Sequence, residues 1–451
     1  MGDSLDTIFK AYDVRGVYPD QIDEGVAKKV GNAFVRFTGA STVIVGHDMR
    51  PSSVPLVKAF IEGATLAGAD VVDVGLASTD LVYFAAGSLD APAAMFTASH
   101  NPAQYNGIKL CRAGAAPVGE ATGLTQIKDA VAAGLLERAE ESGKVIERDL
   151  LDDFADHVRS FIDVDALRPL KVVADTANGM GGLVVPKVFE GLPCELTVLF
   201  GELDGTFPNH PADPIQPENL VALQKAVLDA GADLGLAFDG DADRVFLVDN
   251  EGQPVSGSTT TAIVAESMLR RAGGGTVVHN LICSKAVAEV VRENGGEPVR
   301  TRVGHSFIKQ VMAETDAIFG GEHSAHYYFR DYWRADSGSI AAMVVLEALS
   351  KANVPLSELR RPYERYAASG EINTEVGDPL AVIEAVAGHF TGAEQDRLDG
   401  LTVDLGDWWF NLRPSNTEPL LRLNLEAADR AACDAHTEEV LALIRAESQE
   451  N

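Results

Sequence analysis

Three aspartates occupy alternate positions in the stretch Phe238-Asp239-Gly240-Asp241-Ala242-Asp243-Arg244, directly after a predicted strand at 234–238. Crowded carboxylates repel one another, and a hard divalent cation relieves the repulsion because magnesium and calcium prefer oxygen ligands. The alternative is an exposed acidic turn. An EF-hand calcium loop is disfavoured, because a second predicted strand follows at once, at 245–248. Asp239, Asp241 and Asp243 therefore predict a metal site.

A serine follows another short apolar run, 93–96, in the turn Thr97-Ala98-Ser99-His100-Asn101-Pro102. Taken alone, the Ser99–His100 pair is weak evidence, since serine and asparagine commonly bond to nearby backbone amides in turns. A serine beside a histidine is also the pattern of a nucleophile for acyl transfer. Ser99 becomes a stronger candidate only in combination with the other motifs.

A phosphate-binding loop is predicted at Arg413-Pro414-Ser415-Asn416-Thr417-Glu418-Pro419, between two predicted strands. The loop offers a guanidinium, two hydroxyls, an amide and backbone N–H groups, which together suit a phosphate dianion. A polar hairpin turn is the alternative. In so acidic a chain, an arginine beside Ser-Asn-Thr favours phosphate binding.

Two further polar loops follow apolar strands, where open α/β sheets present ligand sites. One contains His305 within 303–309, and the other contains Glu322, Ser324 and His326 within 320–326. Neither loop is specific by itself, because a single histidine is more often a structural hydrogen-bonding group than a catalyst.

Two cations, Arg15 and Lys109, complete the set of candidates. Arg15 lies in the motif 9–16, where an ion pair with Asp13 is the alternative. Lys109 lies among apolar residues at 107–110, so partial burial is expected to lower its pKa and to let it act as acid and base near neutral pH. The alternative is an exposed lysine on an edge strand.

The elements that carry these loops recur in one order. The strand 43–45 leads through a polar turn to a helix near Ser53, as in a β-loop-α unit. A helix, a glycine and an apolar strand then recur around Gly68, Gly231 and Gly295, which indicates three related α/β units. The last segment mixes strands and two helices, as in a small α+β domain. Polar stretches at 137–148, 250–258 and 357–370 predict four domains, 1–145, 146–253, 254–365 and 366–451.

Composition narrows the function. The chain has 451 residues, with 37 basic and 67 acidic side chains and a net charge of −30, which disfavours nucleic acid and membrane partners. No apolar run reaches membrane-span length and no signal pattern occurs at the start, so a cytoplasmic location is expected. The four cysteines are scattered, which argues against a zinc site and against disulfides. An anionic substrate would require a local basic pocket.

In order along residues 9–426, these motifs resemble those of the α-D-phosphohexomutase superfamily. The resemblance implies three related α/β domains with mixed sheets and a smaller C-terminal α+β domain around a central cleft. It implies that the four domains carry, in order, a phosphoserine, a metal, the sugar-recognition loop and the phosphate-binding loop, with Mg²⁺ held by Ser99, Asp239, Asp241 and Asp243. The implied catalytic residues are Ser99, Lys109, Arg15, His100 and His326. The implied substrate-binding residues are Tyr12, Arg244, His305, Glu322, Ser324, Arg413, Ser415, Asn416 and Thr417.

The run 321–326, followed by 327–331 and by Asp336-Ser337-Gly338, is most similar to bacterial phosphomannomutases, including those that accept glucose phosphates. The implied reaction interconverts mannose 6-phosphate and mannose 1-phosphate, with hexose 1,6-bisphosphate as intermediate and activator. Phosphoglucomutase or phosphoglucosamine mutase activity is the nearest alternative. One departure is Ile282, where many relatives carry a lysine, and Lys285 is a candidate substitute.

Two other functional classes fit part of the pattern. A magnesium-dependent sugar phosphatase would use the same aspartates, but hydrolysis requires no site for a second phosphate. A non-catalytic sugar-phosphate binder would not require Ser99, Lys109 and three metal carboxylates together. The sequence leaves the choice between a monomer and a homo-oligomer open.

Overall fold

Four β-sheets organise the chain in the computed structural model, which describes residues 2–414 and 420–450. The first three sheets are mixed and the fourth is antiparallel. One hydrophobic core runs from the first domain through the third, whereas the fourth domain packs a core of its own. This architecture confirms the predicted fold class.

The first domain is built around a seven-stranded sheet. Its elements are α1 (Gly2–Ile8), β1 (Val14–Val17), α2 (Glu24–Thr38), β2 (Thr42–His47), α3 (Ser53–Leu66), β3 (Asp70–Leu76), α4 (Thr79–Ser88), β4 (Ala93–Phe96), β5 (Tyr105–Arg112), β6 (Ala116–Pro117), α5 (Leu124–Ala132) and β7 (Val145–Glu147). The strand order is β1-β5-β4-β2-β3-β7, with β6 paired to β5. The three central strands β4, β2 and β3 are parallel and almost wholly apolar, because helices cover both faces of such strands.

The second and third domains each contain five strands. The second comprises α6 (Leu151–Arg159), β8 (Leu170–Asp175), α7 (Gly181–Phe189), β9 (Cys194–Leu199), α8 (Val221–Ala230), β10 (Leu234–Phe238), β11 (Val245–Asp249) and β12 (Pro254–Val255). The third comprises α9 (Gly257–Ala272), β13 (Gly275–Asn280), α10 (Lys285–Glu293), β14 (Gly296–Thr301), α11 (His305–Thr315), β15 (Phe319–Gly321), β16 (Tyr327–Phe329), β17 (Ala335–Asp336), α12 (Gly338–Ala352) and α13 (Leu356–Leu359).

One strand order is repeated in these three domains. It reads β3-β2-β4-β5-β6 in the first, β9-β8-β10-β11-β12 in the second and β14-β13-β15-β16-β17 in the third. In each case the first three strands of the order are parallel and the last two are antiparallel. The loop between the third and fourth strands of this order therefore occupies the same place in each of the three domains.

The fourth domain is a five-stranded antiparallel sheet with two helices on one face. Its elements are β18 (Ala367–Glu375), α14 (Pro379–His389), β19 (Glu394–Asp396), β20 (Leu401–Asp404), β21 (Trp408–Pro414), β22 (Leu420–Ala427) and α15 (Arg430–Glu450), and its strand order is β18-β22-β21-β20-β19. Short 3-10 helices elsewhere are Ala113–Ala115, Glu120–Thr122, Val164–Ala166, Pro217–Leu220, Arg330–Tyr332 and Arg361–Tyr363.

The predicted domain boundaries stay predictions, although the sheets end close to them. Strand β7 begins at residue 145 and pairs with β3, and β12 begins at residue 254 and pairs with β11. Within the described residues, no single helix is long and apolar enough to cross a membrane; by length and composition alone, the bent pair Gly338–Ala352 and Leu356–Tyr363 passes that test.

Glycines set the distance between α2 and α3. A Cβ atom at Gly63 would lie 1.9 Å from the carbonyl oxygen of Lys28, and a Cβ atom at Gly31 would lie 2.3 Å from that of Phe60. The two helix backbones are therefore in direct contact, a separation that only glycine allows.

Replacing Gly63 with alanine is expected to destabilise the protein by about 1–3 kcal/mol or more, because the helices must move apart. The matched control is Gly388→Ala in α14, where a Cβ atom meets nothing within 4 Å. That change is expected to be neutral or to stabilise by up to about 1 kcal/mol, because alanine favours helix. Thermal unfolding of both variants measures the difference, and equal midpoints would contradict the close-contact argument.

Candidate active site

The repeated strand order places three of the predicted loops at equivalent positions. The serine loop (97–104) joins β4 to β5, the acidic loop (239–244) joins β10 to β11, and the sugar loop (322–326) joins β15 to β16. Each loop contains one non-glycine residue with positive φ: Ser99 at 49°, Ala242 at 60° and Ala325 at 64°. A residue in the left-handed conformation therefore follows the third strand of the shared order in each of the first three domains.

The serine and acidic loops are in contact. The Ser99 hydroxyl donates a hydrogen bond to Oδ2 of Asp239 at 2.9 Å, and Ser99 is 6% exposed. A Cβ atom at Gly240 would lie 2.4 Å from the Ser99 carbonyl oxygen, so only glycine permits this approach. Gly240 thus allows the three aspartates of the acidic loop to lie next to Ser99, the predicted phosphoryl carrier.

His100 lies beside Ser99, with Nδ1 3.2 Å from the hydroxyl oxygen. Burial, with Arg244 and Arg15 nearby, holds the pKa of His100 well below its ordinary value, so the ring is neutral at pH 7. Among the described residues no carboxylate bonds to His100, although a catalytic triad requires an acid to orient its histidine. Ser99 is bonded to a carboxylate of the acidic loop instead.

Lys109 links β5 to the acidic loop. Its ammonium donates to Asp241 Oδ2 and to Asp243 Oδ2, at 2.7 Å each. Burial opposes the charged form, but the two carboxylates outweigh it and hold the pKa of Lys109 well above its usual range. The expectation of a lowered pKa for Lys109 is therefore wrong in this structure, because the acidic loop closes over the lysine.

The three aspartates fit a cation. Asp239, Asp241 and Asp243 are all buried, and one ligand atom of each lies within 4.8 Å of the others. Burial, with Asp243 and Asp241 nearby, raises the pKa of Asp239 to about 7 despite the opposing charge of Arg244. Oδ1 of Asp241 and Oδ1 of Asp243 are buried without a hydrogen-bond partner among the described residues, so they are available as metal ligands.

Arg244 joins the second and third domains. Its Nε donates to Asp239 Oδ2 at 2.8 Å, and its backbone forms an isolated bridge with His326 of the sugar loop. Burial opposes ionisation, yet the surrounding aspartates raise the pKa of Arg244, so the side chain is a permanent cation. The acidic and sugar loops are thus held side by side.

Glu322 is the centre of the sugar loop. The buried carboxylate accepts from Tyr328 Oη at 3.0 Å and from the Gly304 amide at 3.2 Å, and it lies 3.3 Å from Nδ1 of His326. Ser324 Oγ is 3.0 Å from the same imidazole nitrogen. Although burial favours the neutral forms, the pair interaction lowers the pKa of Glu322 and raises that of His326.

This pair makes stability depend on pH. The contribution of His326 to the free energy of unfolding is complete below its ordinary pKa of about 6.5 and is lost as pH rises through its raised folded-state pKa. The contribution of Glu322 is complete above about pH 4.3 and is lost as pH falls through its lowered pKa. His326→Asn should therefore lower the thermal midpoint most near pH 5.5, by the equivalent of roughly 1.5–3 kcal/mol, and least above about pH 9.

The measurement is a series of melting curves in EDTA across this pH range. The control is His389→Asn, which removes a half-exposed imidazole 3.2 Å from Glu447 and should change the midpoint little. A His326→Asn deficit that does not vary with pH would contradict the ion pair.

The other predicted residues lie around these loops. Arg15 donates to Asn101 of the serine loop at 2.7 Å and also pairs with Asp13, so the ion pair is present and the catalytic role of Arg15 stays a prediction. The ring of Tyr12 packs edge-on against Phe307, and its hydroxyl reaches Gly304. His305 begins α11, but its side chain lies outside the described residues.

The phosphate loop is described only at Arg413 and Pro414, since Ser415, Asn416 and Thr417 lie outside the described residues. Arg413 donates to Glu371 at 2.6 Å, and Glu371 also accepts from Arg422. Both Glu371 and Arg413 act electrostatically on His323 of the sugar loop, so this part of the fourth domain faces the third.

Lys285, the candidate substitute for the family lysine at position 282, is bonded to the fourth domain. Its ammonium donates to Asp404 of the fourth domain at 2.7 Å, and its amide donates to Glu426 at 3.0 Å. Ile282 lies instead in the wall of a cavity of about 380 Å³ between the third and fourth domains.

Several buried residues that support the site were not singled out from the sequence. Thr79, at the start of α4, donates to Asp241 Oδ2 at 2.5 Å, and the next residue, Asp80, accepts from Ser337 of the third domain at 2.7 Å. Arg50 bonds to the Ser99 carbonyl at 2.9 Å. Their position in the sequence could have identified them, because the turns after β2 and β3 lie at the same edge of the sheet as the serine loop.

A serine bonded to a buried acidic cluster, with fixed cations beside both, is the arrangement of an intramolecular phosphotransferase. Comparison with known proteins gives the same result. Residues 6–137, 152–252 and 256–366 match the phosphoglucomutase/phosphomannomutase alpha/beta/alpha domains I, II and III, and residues 371–443 match the C-terminal domain. The chain belongs to the phosphoglucomutase/phosphomannomutase family.

Individual relatives are similar over their whole length. "Phosphohexose mutases" of Xanthomonas campestris pv. campestris is 40% identical over 97% of this chain and 99% of its own, and a phosphomannomutase of Salmonella montevideo gives the same three values. A crystal structure of a phosphoglucomutase/phosphomannomutase family protein from Burkholderia thailandensis is 34% identical, with a TM-score of 0.90, and covers 98% of this chain and 97% of its own.

Proposed function

We propose that this chain interconverts mannose 6-phosphate and mannose 1-phosphate, and glucose phosphates as well, through a phosphoryl group carried on Ser99. The observation that carries the proposal is the hydrogen bond from Ser99 to Asp239 within the cluster that also holds Lys109 and Arg244. Phosphoryl transfer needs positioning and charge neutralisation above all, and this cluster supplies both. The 40% identity to a protein named phosphomannomutase supports the choice of sugar.

The reaction is two transfers of opposite sense. In the first, the bond between phosphorus and Ser99 Oγ breaks and a bond to the free hydroxyl oxygen of the hexose phosphate forms, while the hydroxyl proton is passed to Ser99 Oγ. The hexose 1,6-bisphosphate then turns end for end, and its other phosphoryl group returns to Ser99. A supply of hexose 1,6-bisphosphate is proposed to activate the enzyme by loading Ser99.

Different residues are proposed to transfer the proton, to stabilise charge and to bind the metal. Lys109, a cation held by two aspartates, is proposed to move the proton, with His326 and Arg15 assisting. Arg244 and the neutral His100 stabilise the charge around Ser99. Asp239, Asp241 and Asp243, with Ser99, are proposed to hold Mg²⁺, which neutralises phosphoryl oxygens when bound.

Substrate binding is assigned to the remaining candidates. Glu322 and Ser324 are proposed to bind sugar hydroxyls, and Tyr12 and His305 are proposed to bind the substrate beside them. Arg413, with Ser415, Asn416 and Thr417, holds the phosphate that is not being transferred. The net charge of −30 argues against nucleic acid and membrane partners, and we propose a cytoplasmic location.

A comparison of kcat/KM for mannose 1-phosphate, glucose 1-phosphate and glucosamine 1-phosphate, with catalytic hexose 1,6-bisphosphate, tests the choice of sugar. The proposal expects mannose phosphate first and glucose phosphate close behind. A clear preference for glucosamine phosphate would overturn it. Inorganic phosphate, measured in the same assay, should stay far below the isomerised product, whereas stoichiometric release would identify a phosphatase.

A further inference from the structure

Arg50 is the largest fully buried cation outside the proposed machinery, at 1% exposure. It lies in the turn that follows β2, and β2 is the parallel neighbour of β4, which leads into the serine loop. A guanidinium buried this deeply costs free energy unless all of its donors are satisfied.

Each of the five N–H donors of Arg50 has a partner. Nε donates to Asp48 Oδ2 at 3.0 Å. The other four donors bond to backbone carbonyls of the serine loop and the residue after it: Ser99 at 2.9 Å, Asn101 at 2.7 Å, Pro102 at 2.8 Å and Tyr105 at 3.0 Å. Arginine is the one side chain with five donors in a fixed planar fork, so no other residue can replace this set.

The guanidinium is itself held from two further sides. Asp48, fully buried, also accepts from the Ser53 hydroxyl at 2.6 Å, which anchors it at the start of α3. The ring of Phe207, from the second domain, lies 5.0 Å from the guanidinium carbon, and a Cβ atom at Gly205 would lie 2.5 Å from the Arg50 Cα atom. Arg50 is therefore immobilised between two domains.

The hydrogen bonds from Arg50 hold the one residue of the serine loop that has an unfavourable backbone conformation. Ser99 has φ of 49°, a region that non-glycine residues rarely adopt without outside support. Its carbonyl bonds to Arg50 and lies against Gly240, so the backbone of Ser99 is fixed on two sides. The backbone from which the hydroxyl reaches Asp239 is consequently held in place.

We propose that Arg50, oriented by Asp48, is a positioning residue that sets the backbone of the serine loop for phosphoryl transfer to and from Ser99. The inference rests on the proposed function of Ser99. Loss of Arg50 should slow both transfers and leave the binding of hexose phosphate nearly unchanged, because no proposed substrate contact among the described residues bonds to Arg50. A misplacement of about 1 Å in a reacting group costs roughly 10²-fold in rate.

The test compares wild-type protein, Arg50→Lys and Arg50→Ala, with Arg112→Lys as the control. Arg112 is an exposed arginine of the same domain that stacks on Phe37, away from the serine loop. Each dephosphorylated protein is mixed with glucose 1,6-bisphosphate, and the phosphorylation of Ser99 is followed by intact-protein mass spectrometry. Steady-state kcat and KM are measured in parallel.

For Arg50→Lys we expect phosphorylation and kcat to fall about 100-fold, with KM within about threefold of wild type. For Arg50→Ala we expect partial recovery with millimolar guanidinium chloride but none with equal sodium chloride. Arg112→Lys should match wild type. Phosphorylation of Arg50→Lys at the wild-type rate would overturn the positioning role. A rise in KM as large as the fall in kcat would overturn it too.

Asp48→Asn provides a second variant. An amide donor facing Nε loosens the guanidinium without removing it. We therefore expect a smaller fall in kcat than in the Arg50 variants, again with KM nearly unchanged. If neither Arg50 variant nor Asp48→Asn folds, as judged by circular dichroism, the role is structural and the proposal is overturned. If wild-type protein does not take up a phosphoryl group, the proposed function fails instead, and the two failures are thereby distinguished.

Discussion

Ser99→Ala is expected to abolish isomerisation, with a loss of at least ~10⁴-fold in kcat, because the residue that carries the phosphoryl group is gone. The same change removes the two hydrogen bonds of the Ser99 hydroxyl, to Asp239 and to Nδ1 of His100, so the expected cost in folding free energy is about 1–3 kcal/mol. A coupled assay of glucose 6-phosphate formation from glucose 1-phosphate measures the activity, and thermal unfolding measures the stability.

The control for this variant is Ser88→Ala, an exposed serine at the end of α4 in the same domain, which should keep full activity. Binding of hexose phosphate to Ser99→Ala, measured by calorimetry, should remain within severalfold of wild type. Appreciable turnover by a folded Ser99→Ala protein would remove Ser99 from the reaction.

Asp241→Asn is expected to weaken Mg²⁺ binding by at least ~10-fold and to lower kcat by roughly 10²-fold or more even at saturating metal. Asp241 holds Lys109 and Thr79 with one oxygen and presents the other, buried and without a partner in the described part of the chain, to the acidic cluster. An amide in its place removes one of three negative charges and leaves the Lys109 ammonium with fewer acceptors.

The metal effect has a readout that does not depend on turnover. Mg²⁺ should raise the thermal midpoint of wild-type protein, because a ligand that binds only the folded state stabilises it, and the rise should be much smaller for Asp241→Asn. Asp229→Asn is the control, since Asp229 is an exposed acid in the same domain that pairs with Lys225. A wild-type response to Mg²⁺ in Asp241→Asn would refute the metal assignment.

Sequence patterns predicted the architecture and the three loops because both follow from local rules. Apolar strands that end in polar turns place their turns at one edge of a parallel sheet, and the recurrent helix-glycine-strand order marked the repeated units. What the sequence could not give was the pairing of loops across domains, such as Gly240 against Ser99. That contact joins residues 141 positions apart, and nothing in either stretch specifies the other.

The pKa of Lys109 could not be predicted for the same reason, because it depends on contacts between domains. Its apolar neighbours along the strand predicted a lowered pKa, yet the groups that decide the pKa are Asp241 and Asp243 from another domain. Arg50 and Thr79 were missed for a related reason. Apart from Asp48, two residues before Arg50, their partners are backbone carbonyls and one distant carboxylate, and neither kind of partner produces a sequence motif.

The central claim is that Ser99 is the phosphoryl carrier, and a transfer experiment tests it most directly. Wild-type protein is incubated with hexose 1,6-bisphosphate, freed of ligand and digested, and the peptide that contains Ser99 is sequenced by tandem mass spectrometry; a second portion is first mixed with mannose 6-phosphate. The account predicts one phosphoryl group on Ser99, which disappears from the second portion as hexose bisphosphate forms. A phosphoryl group on another residue, or one on Ser99 that mannose 6-phosphate does not remove, would contradict it.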